Sequence, residues 1–154
     1  MQKLTFQKDS TSGNTGGLRP DVKFRMCPIK ASMGVLGRKW AMLVLRDIGF
    51  RKIDRFNRLL ESIPGLTPRV LSMRLKELEQ DGIIKKTENG TTPTSVRWTL
   101  TEKGRDTLPI LMRFIAFGSK WYANEVFEDK TPRSIQEIFT RPEAKQMVET
   151  LYAS

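Results

Sequence analysis

Residues 66–82, LTPRVLSMRLKELEQDG, carry side chains suited to reading a nucleic acid. Thr67 and Pro68 open a helix, the first as its cap and the second in its first turn. Gly82 stands just past the last apolar residue. Leu71, Leu75 and Leu78 fall on one face of that helix, and Arg69, Ser72, Met73 and Lys76 fall on the other. A guanidinium forks onto a guanine edge, a hydroxyl serves either base type, and an apolar tip meets the thymine methyl. Such a face suits a helix lying in the major groove, which is wide enough to admit it. Arg69, nearest the helix start, is the candidate for guanine. Met73 is a candidate for a thymine methyl or a partly buried filler. Thr67 is a cap that can also face a phosphate at the positive end of the helix. An amphipathic surface helix with a solvated polar side has the same pattern, so the neighbouring elements must decide.

Few other chemistries are open. The 154 residues contain no His and one Cys. That removes Ser–His and Cys–His nucleophile pairs and the commonest metal ligand. No paired-carboxylate motif in a Gly-rich frame replaces them, so no enzyme, metal or cofactor is expected. One Cys builds no disulfide framework within a chain, which fits a reducing compartment. The run AMLVL (41–45) is too short to span a membrane, and the N-terminus shows no apolar signal core. A cytoplasmic location, on the nucleoid, and no membrane partner are expected. The formal net charge is +10. Residues 1–100 hold 19 Lys and Arg against 9 Asp and Glu, whereas residues 101–154 hold 8 of each. The whole excess therefore lies in the first two-thirds, which points to a polyanion, or else to a merely basic surface.

The elements that would position the reading face follow from periodicity. Residues 1–26, with KDSTSGNTGGLRP, read as a mobile arm whose Arg19, Lys23 and Arg25 lie at its inner end. From Pro28, Ile29, Met33 and Leu36 repeat at helical spacing until Gly37. RKWAMLVLRDI puts Trp40, Leu43, Val44 and Ile48 on one stripe. KIDRFNRLLESIPG puts Ile53, Phe56, Leu60 and Ile63 on another, ended by Pro64-Gly65. After Gly82 the period changes. IIKKT (83–87) and SVRWTL (95–100) read as strands flanking ENGTTPT, with Val96, Trp98 and Leu100 inward and Arg97 and Thr99 outward. TEKG opens a further helix whose face is Leu108, Leu111, Ile115, Gly118 and Tyr122. Pro109 requires a kink there or a helix that starts only at that point. Thr131-Pro132 reads as a cap pair for Ile135, Ile138 and Phe139, and Met147, Val148 and Leu151 mark a last short helix.

Three helices, a basic hairpin and more helix make a winged helix-turn-helix. The class is mainly α with a small β-hairpin wing. The divisions are an arm (1–26), the winged domain with a dimerisation helix (27–124) and a C-terminal helical extension (125–154). Arg55, in the helix before the turn, is a candidate phosphate contact, and Asn57 is a candidate support for the turn. Arg38 and Lys39 are candidate backbone clamps ahead of the Trp40 helix. Lys85, Lys86 and Arg97 belong to the wing. For each Lys or Arg a solvated role is the alternative.

CPIKASMGVLGRKW (27–40), LRDI (45–48), RFNRL (55–59), IPGLTPRVLSMRLKELEQDGII (63–84) and WTLTEKG (98–104) together resemble the HxlR-type helix-turn-helix transcription regulators, relatives of the MarR group. The resemblance spans roughly residues 26–124. The long polar arm before Cys27 and the extension beyond about residue 125 depart from the commoner pattern. The resemblance implies a homodimer, often a repressor, with two recognition helices (67–81) in successive major grooves of a pseudo-palindromic operator. It also implies that the terminal helices form the dimer interface. In the charge-neutral segment, Leu111, Phe114, Ile115, Phe117, Trp121 and Tyr122 are the candidates. Several relatives answer reactive electrophiles or oxidants, so a small-molecule or electrophile effector is a possible partner. Cys27 stands at the Cys-Pro position where such relatives carry a redox thiol. It begins a helix and has Lys30 and Arg25 nearby, a setting in which thiols react. A buried, inert Cys is the alternative.

Other classes fit less well. A single-strand or RNA binder needs exposed stacking aromatics, whereas Trp40 and Trp98 lie on apolar stripes. An interaction module with a lapsed reading helix does not explain the intact Arg69–Lys76 face. A general duplex-binding or chromatin-associated protein without effector response is the nearest alternative.

Overall fold

The computed structural model describes Gly17, residues 20–88 and residues 96–153. Arg19 and the Asn89-Gly90 turn lie outside the described residues, as does most of the arm. In order, the chain forms α1 (Pro28–Leu36), α2 (Ala41–Gly49), α3 (Phe56–Ser62), α4 (Pro68–Gln80), β1 (Ile84–Glu88), β2 (Val96–Leu100), α5 (Glu102–Arg105), α6 (Thr107–Trp121), α7 (Ala123–Val126), α8 (Ile135–Ile138) and α9 (Pro142–Ala153). The strands pair antiparallel, from Ile84 opposite Leu100 to Glu88 opposite Val96. Helix α3, a turn, helix α4 and this hairpin are a winged helix-turn-helix. No helix among the described residues is long and apolar enough to cross a membrane.

Local chemistry sets both ends of α4. The Thr67 hydroxyl accepts from the Val70 amide at 3.4 Å, and Pro68 occupies the first turn, where its missing N–H costs no helical bond. At the other end Gly82 takes φ +70. Its amide donates to the Glu79 carbonyl and the Ile83 amide to that of Leu78. This is a Schellman closure, and the left-handed residue it needs is cheapest as glycine. The reversal turns the chain directly into β1. Between α3 and α4, Gly65 (φ +83) lies against Trp40, whose ring would be 3.4 Å from an added Cβ. Trp40 itself holds a left-handed conformation ahead of α2. The helix-turn-helix corner therefore rests on an indole from the preceding loop.

The main core joins Val44, Leu45 and Ile48 of α2 to Leu59, Ile63, Leu71, Leu75, Leu78, Ile84 and Trp98. Each fully buried aliphatic side chain contributes about 1.5–3 kcal/mol, so three leucines of α4 hold the helix firmly by its back. The stripe on α2 is rotated from the expected one. Ala41 and Leu45 are buried with Val44 and Ile48, while Leu43 faces outward. Ile53 precedes α3, and Leu59 is the residue of that helix that is fully buried. The expected stripe packs there as well: Ile63 is buried in this core, and Ile53, Phe56 and Leu60 lie partly buried against it.

Helix α6 begins at Thr107, which puts Pro109 in its first turn and removes the need for a kink. Its faces differ from the expectation. Leu111 is 5% exposed and belongs to the main core, and Ile115 packs on a second cluster built from Met112, Ile135 and Val148. Neither is free for a partner chain, because α2 covers one side of α6 and α8 and α9 cover another. Phe114 (62%), Phe117 and Trp121 (66%) are exposed, as are Ile110 and Tyr122. The cap of α8 is Ser134 rather than Thr131. The Ser134 hydroxyl accepts from the Glu137 amide, and Glu137 returns a bond to the Ser134 amide. The Thr131 amide instead donates to Asp129, whose carboxylate also takes the Arg133 guanidinium.

Candidate nucleic-acid interface

The outward face of α4 holds Arg69, Ser72, Met73 and Lys76, all exposed. Met73 is 47% exposed and is not a core filler. Among the described residues none of these four side chains makes a hydrogen bond or ion pair. Four groups able to contact base edges thus stand on one side of a helix whose other side is fixed, and free donors on a rigid frame are what groove reading needs.

The back of the helix carries charges as well as leucines. Arg74 is buried and ion-pairs with Glu77. Arg38 joins the same cluster, 2.8 Å from Asp81 and 3.8 Å from Glu77. Arg38, offered by the sequence as a backbone clamp, here ties the α1–α2 loop to the end of α4. Sequence reasoning passed over Arg74. Its signal was its place on the leucine stripe, three after Leu71 and four before Leu78, with an acid at i+3.

The wing divides in the same manner. Lys85 is exposed and has no partner among the described residues. Lys86, opposite Trp98 in register, puts its ammonium 5.1 Å over that indole and 3.5 Å from Glu79 of α4. It fastens the wing to the recognition helix while remaining half exposed. Arg97 is partly exposed beside the buried Trp98, but it is not free. It pairs with Asp54 at 3.2 Å, and the Trp98 amide donates to the Asp54 carbonyl at 2.8 Å. Residue 54 lies beside the free edge of β2 and recruits the arginine.

Arg55 is the N-cap of α3, extended and exposed, and Asn57 is exposed at the second position of that helix. Lys39 is exposed and places its ammonium 5.0 Å over Trp40. Cys27 is the N-cap residue of α1, half-buried, with no side-chain capping bond. Ile29 (73% exposed) and Met33 of α1 stand free, as do Val22, Phe24 and Met26 just before it. The sequence reading marked the helix but not this uncovered apolar surface.

Residues 35–126 match the family model described as HxlR-like helix-turn-helix. An HTH-type transcriptional regulator of Synechocystis is 36% identical over 103 residues, which is 67% of this chain and 76% of the relative. The reduced form of the transcriptional regulator YodB from B. subtilis superposes with a TM-score of 0.53 at 32% identity, over 62% of this chain and 94% of YodB. The oxidized form of the redox regulator HypR superposes with a TM-score of 0.55 at 32% identity, over 60% of this chain and 94% of HypR.

Proposed function

Because the chain belongs to the HxlR-like helix-turn-helix family of transcriptional regulators, we propose that it acts as a homodimeric repressor on a pseudo-palindromic duplex operator. The recognition helix α4 enters the major groove, with Arg69, Ser72, Met73 and Lys76 at base edges. Lys85, Lys86, Arg55 and Lys39 meet phosphates, and Thr67 caps the helix beside one. The observation that carries this reading is the four-residue face of α4, exposed and unpaired on a helix tied down behind by leucines and by the Arg38–Asp81 and Arg74–Glu77 pairs. Arg38 and Arg97 are left out of the contact set, since each holds the fold together.

A dimer is supported by the apolar surface that the chain leaves open. Ile110, Phe114, Phe117 and Trp121 recur along one side of α6, and Ile29 and Met33 stand exposed on α1. Large exposed apolar patches of this sort mark interaction sites, and a two-fold protein matches a two-fold operator. A redox or electrophile response through Cys27 is supported by its half-exposed place at a helix start and by the likeness to HypR, a redox regulator.

The test is fluorescence anisotropy with duplexes selected from a random pool. If the dimer neutralises roughly 6–10 phosphates, log affinity falls with log salt at a slope of about −5 to −9. A slope near zero would exclude nucleic acid as the partner. Equal affinity for selected and random duplexes would leave a general duplex-binding protein.

A further inference from the structure

Residues 20–26, PDVKFRM, alternate charged and apolar side chains, with Asp21, Lys23 and Arg25 between Val22, Phe24 and Met26. The folded chain covers none of them. Val22 is 66% exposed, Phe24 53% and Met26 59%. The three charged residues are exposed and make no side-chain hydrogen bond or ion pair among the described residues. Helix α1, which follows, buries no residue either. We propose that this inner end of the arm docks on the α6–α7 end of a second copy, so that the two protomers exchange arms. The proposal rests on the dimer given above and assigns the arm its place in it.

Two properties of the segment define what it fits. In extended form, alternation puts Val22, Phe24 and Met26 along one edge and the charges along the other. The apolar edge is then about 13 Å long at roughly 3.3 Å per residue, which is about two turns of helix. Lys23 and Arg25 outweigh Asp21, so the charged edge is basic. Single exposed apolar residues are ordinary, but three in step, continued by the exposed Ile29 and Met33, form a surface that a partner covers.

The α6–α7 end is the complement of that segment. Phe117, Trp121, Tyr122 and Val126 are exposed there, and the rings of Phe117 and Tyr122 lie 6.0 Å apart between centres. Residues 121–129 contain three acids and no base. Asp129 is taken by Arg133, whereas Glu125 and Glu128 are exposed and have no side-chain partner among the described residues. Lys120 and Lys130 flank the stretch, the first with its ammonium 4.9 Å over the Trp121 ring. Docking sets the apolar edge of the arm on the aromatic patch and brings Lys23 and Arg25 to Glu125 and Glu128. A nucleic acid would take the two cations but leave Val22, Phe24 and Met26 in water. A two-fold interface makes every contact twice, so one arrangement covers both arms.

The experiment mixes two charge-reversed full-length chains. One carries Lys23→Glu with Arg25→Glu, and the other carries Glu125→Lys with Glu128→Lys. All four positions are exposed and unpaired, so both chains should keep the wild-type unfolding midpoint. Alone, each chain sets like charges together at both arms of its dimer. Sedimentation should then show dimerisation at least about tenfold weaker than in the wild type. In an equal mixture every arm can meet a face of opposite charge, and a heterodimer about as tight as the wild-type dimer should form. An arm held on its own chain gains nothing from mixing, so an unchanged dissociation constant in the mixture overturns the exchange. Wild-type dimerisation of the Lys23→Glu, Arg25→Glu chain with weakened duplex binding also overturns it, and assigns the two cations to phosphates. Val22→Ser with Phe24→Ser tests the apolar edge. It should weaken the dimer by about tenfold or more, and unchanged dimerisation overturns the docking. The dimer is read separately. A wild-type chain that sediments as a monomer at every concentration removes the dimer and the exchange together, whereas a dimer indifferent to all three variants removes only the exchange.

Discussion

Arg38 Nη1 donates to Asp81 Oδ2 at 2.8 Å, joining the loop ahead of α2 to the last cap of the recognition helix. Glu77 stands between this pair and the buried Arg74, 3.8 Å from Arg38 and ion-paired with Arg74. The rear of α4 is thus held by a short ionic chain above its leucines. The front needs such rigidity, because base-edge contacts fail when their frame shifts by a fraction of an ångström.

Arg38 and Lys85 should separate fold from contact. The Arg38 pair is partly exposed, so Arg38→Ala is expected to cost about 0.5–1 kcal/mol of stability and to leave the salt dependence of DNA binding unaltered. Lys85→Ala is expected to leave stability unchanged and to reduce the salt slope by about 1 per protomer. Chemical denaturation beside salt-titrated anisotropy checks both. A reduced slope for Arg38→Ala would place that guanidinium on a phosphate.

Arg69→Ala should weaken binding to the selected duplex by about 1–3 kcal/mol and to random DNA hardly at all, as loss of a base contact does. Lys86→Ala should weaken both alike. If Arg69→Ala lowers both equally, Arg69 is a phosphate clamp.

The two sides of α6 should respond differently. Phe117→Glu with Trp121→Glu alters exposed residues and should yield a folded monomer by sedimentation. Leu111→Ala opens the main core and should cost about 2–5 kcal/mol of stability. A doubly substituted protein that remains dimeric would move the interface off α6.

Acid should loosen the C-terminal helices. Arg133 and the Thr131 amide hold the Asp129 carboxyl at about 2, below its ordinary 3.8, and the bonds from Ser134 lower Glu137. A depressed carboxyl favours the folded state at neutral pH, and that preference disappears as pH falls through the window from 3.8 to about 2. Asp129→Asn should therefore flatten the acid limb of a stability–pH curve. The pair is partly exposed, so high salt should shrink the difference. An unchanged acid limb would show that Asp129 contributes nothing measurable.

Cys27 stands half-buried at the head of α1 with no side-chain capping bond. Diamide or a quinone should lower operator affinity in the wild type and not in Cys27→Ser. A non-reducing gel separates a linkage between subunits from a capped thiol. Unchanged affinity with the thiol demonstrably modified would reduce Cys27 to packing.

Much of this protein was legible from local chemistry. Helical period, the Thr67-Pro68 start, the Gly82 exit and the change to a period of two after it identified α4 and the wing, since each involves residues within a few positions of one another. The four-residue face followed, because 3.6 residues per turn puts opposite sides of a helix into different surroundings. Partners distant in the chain were not legible. Arg38 with Asp81 and Arg97 with Asp54 each join residues 43 apart, so two arginines that read as a backbone clamp and a wing contact are engaged in ion pairs within the chain. On α6, Leu111 and Phe114 are equally apolar in the sequence, and only the packing of α2, α8 and α9 buries one and leaves the other free. Period alone tells which residues share a face. Which face is covered depends on helices that arrive from elsewhere in the chain.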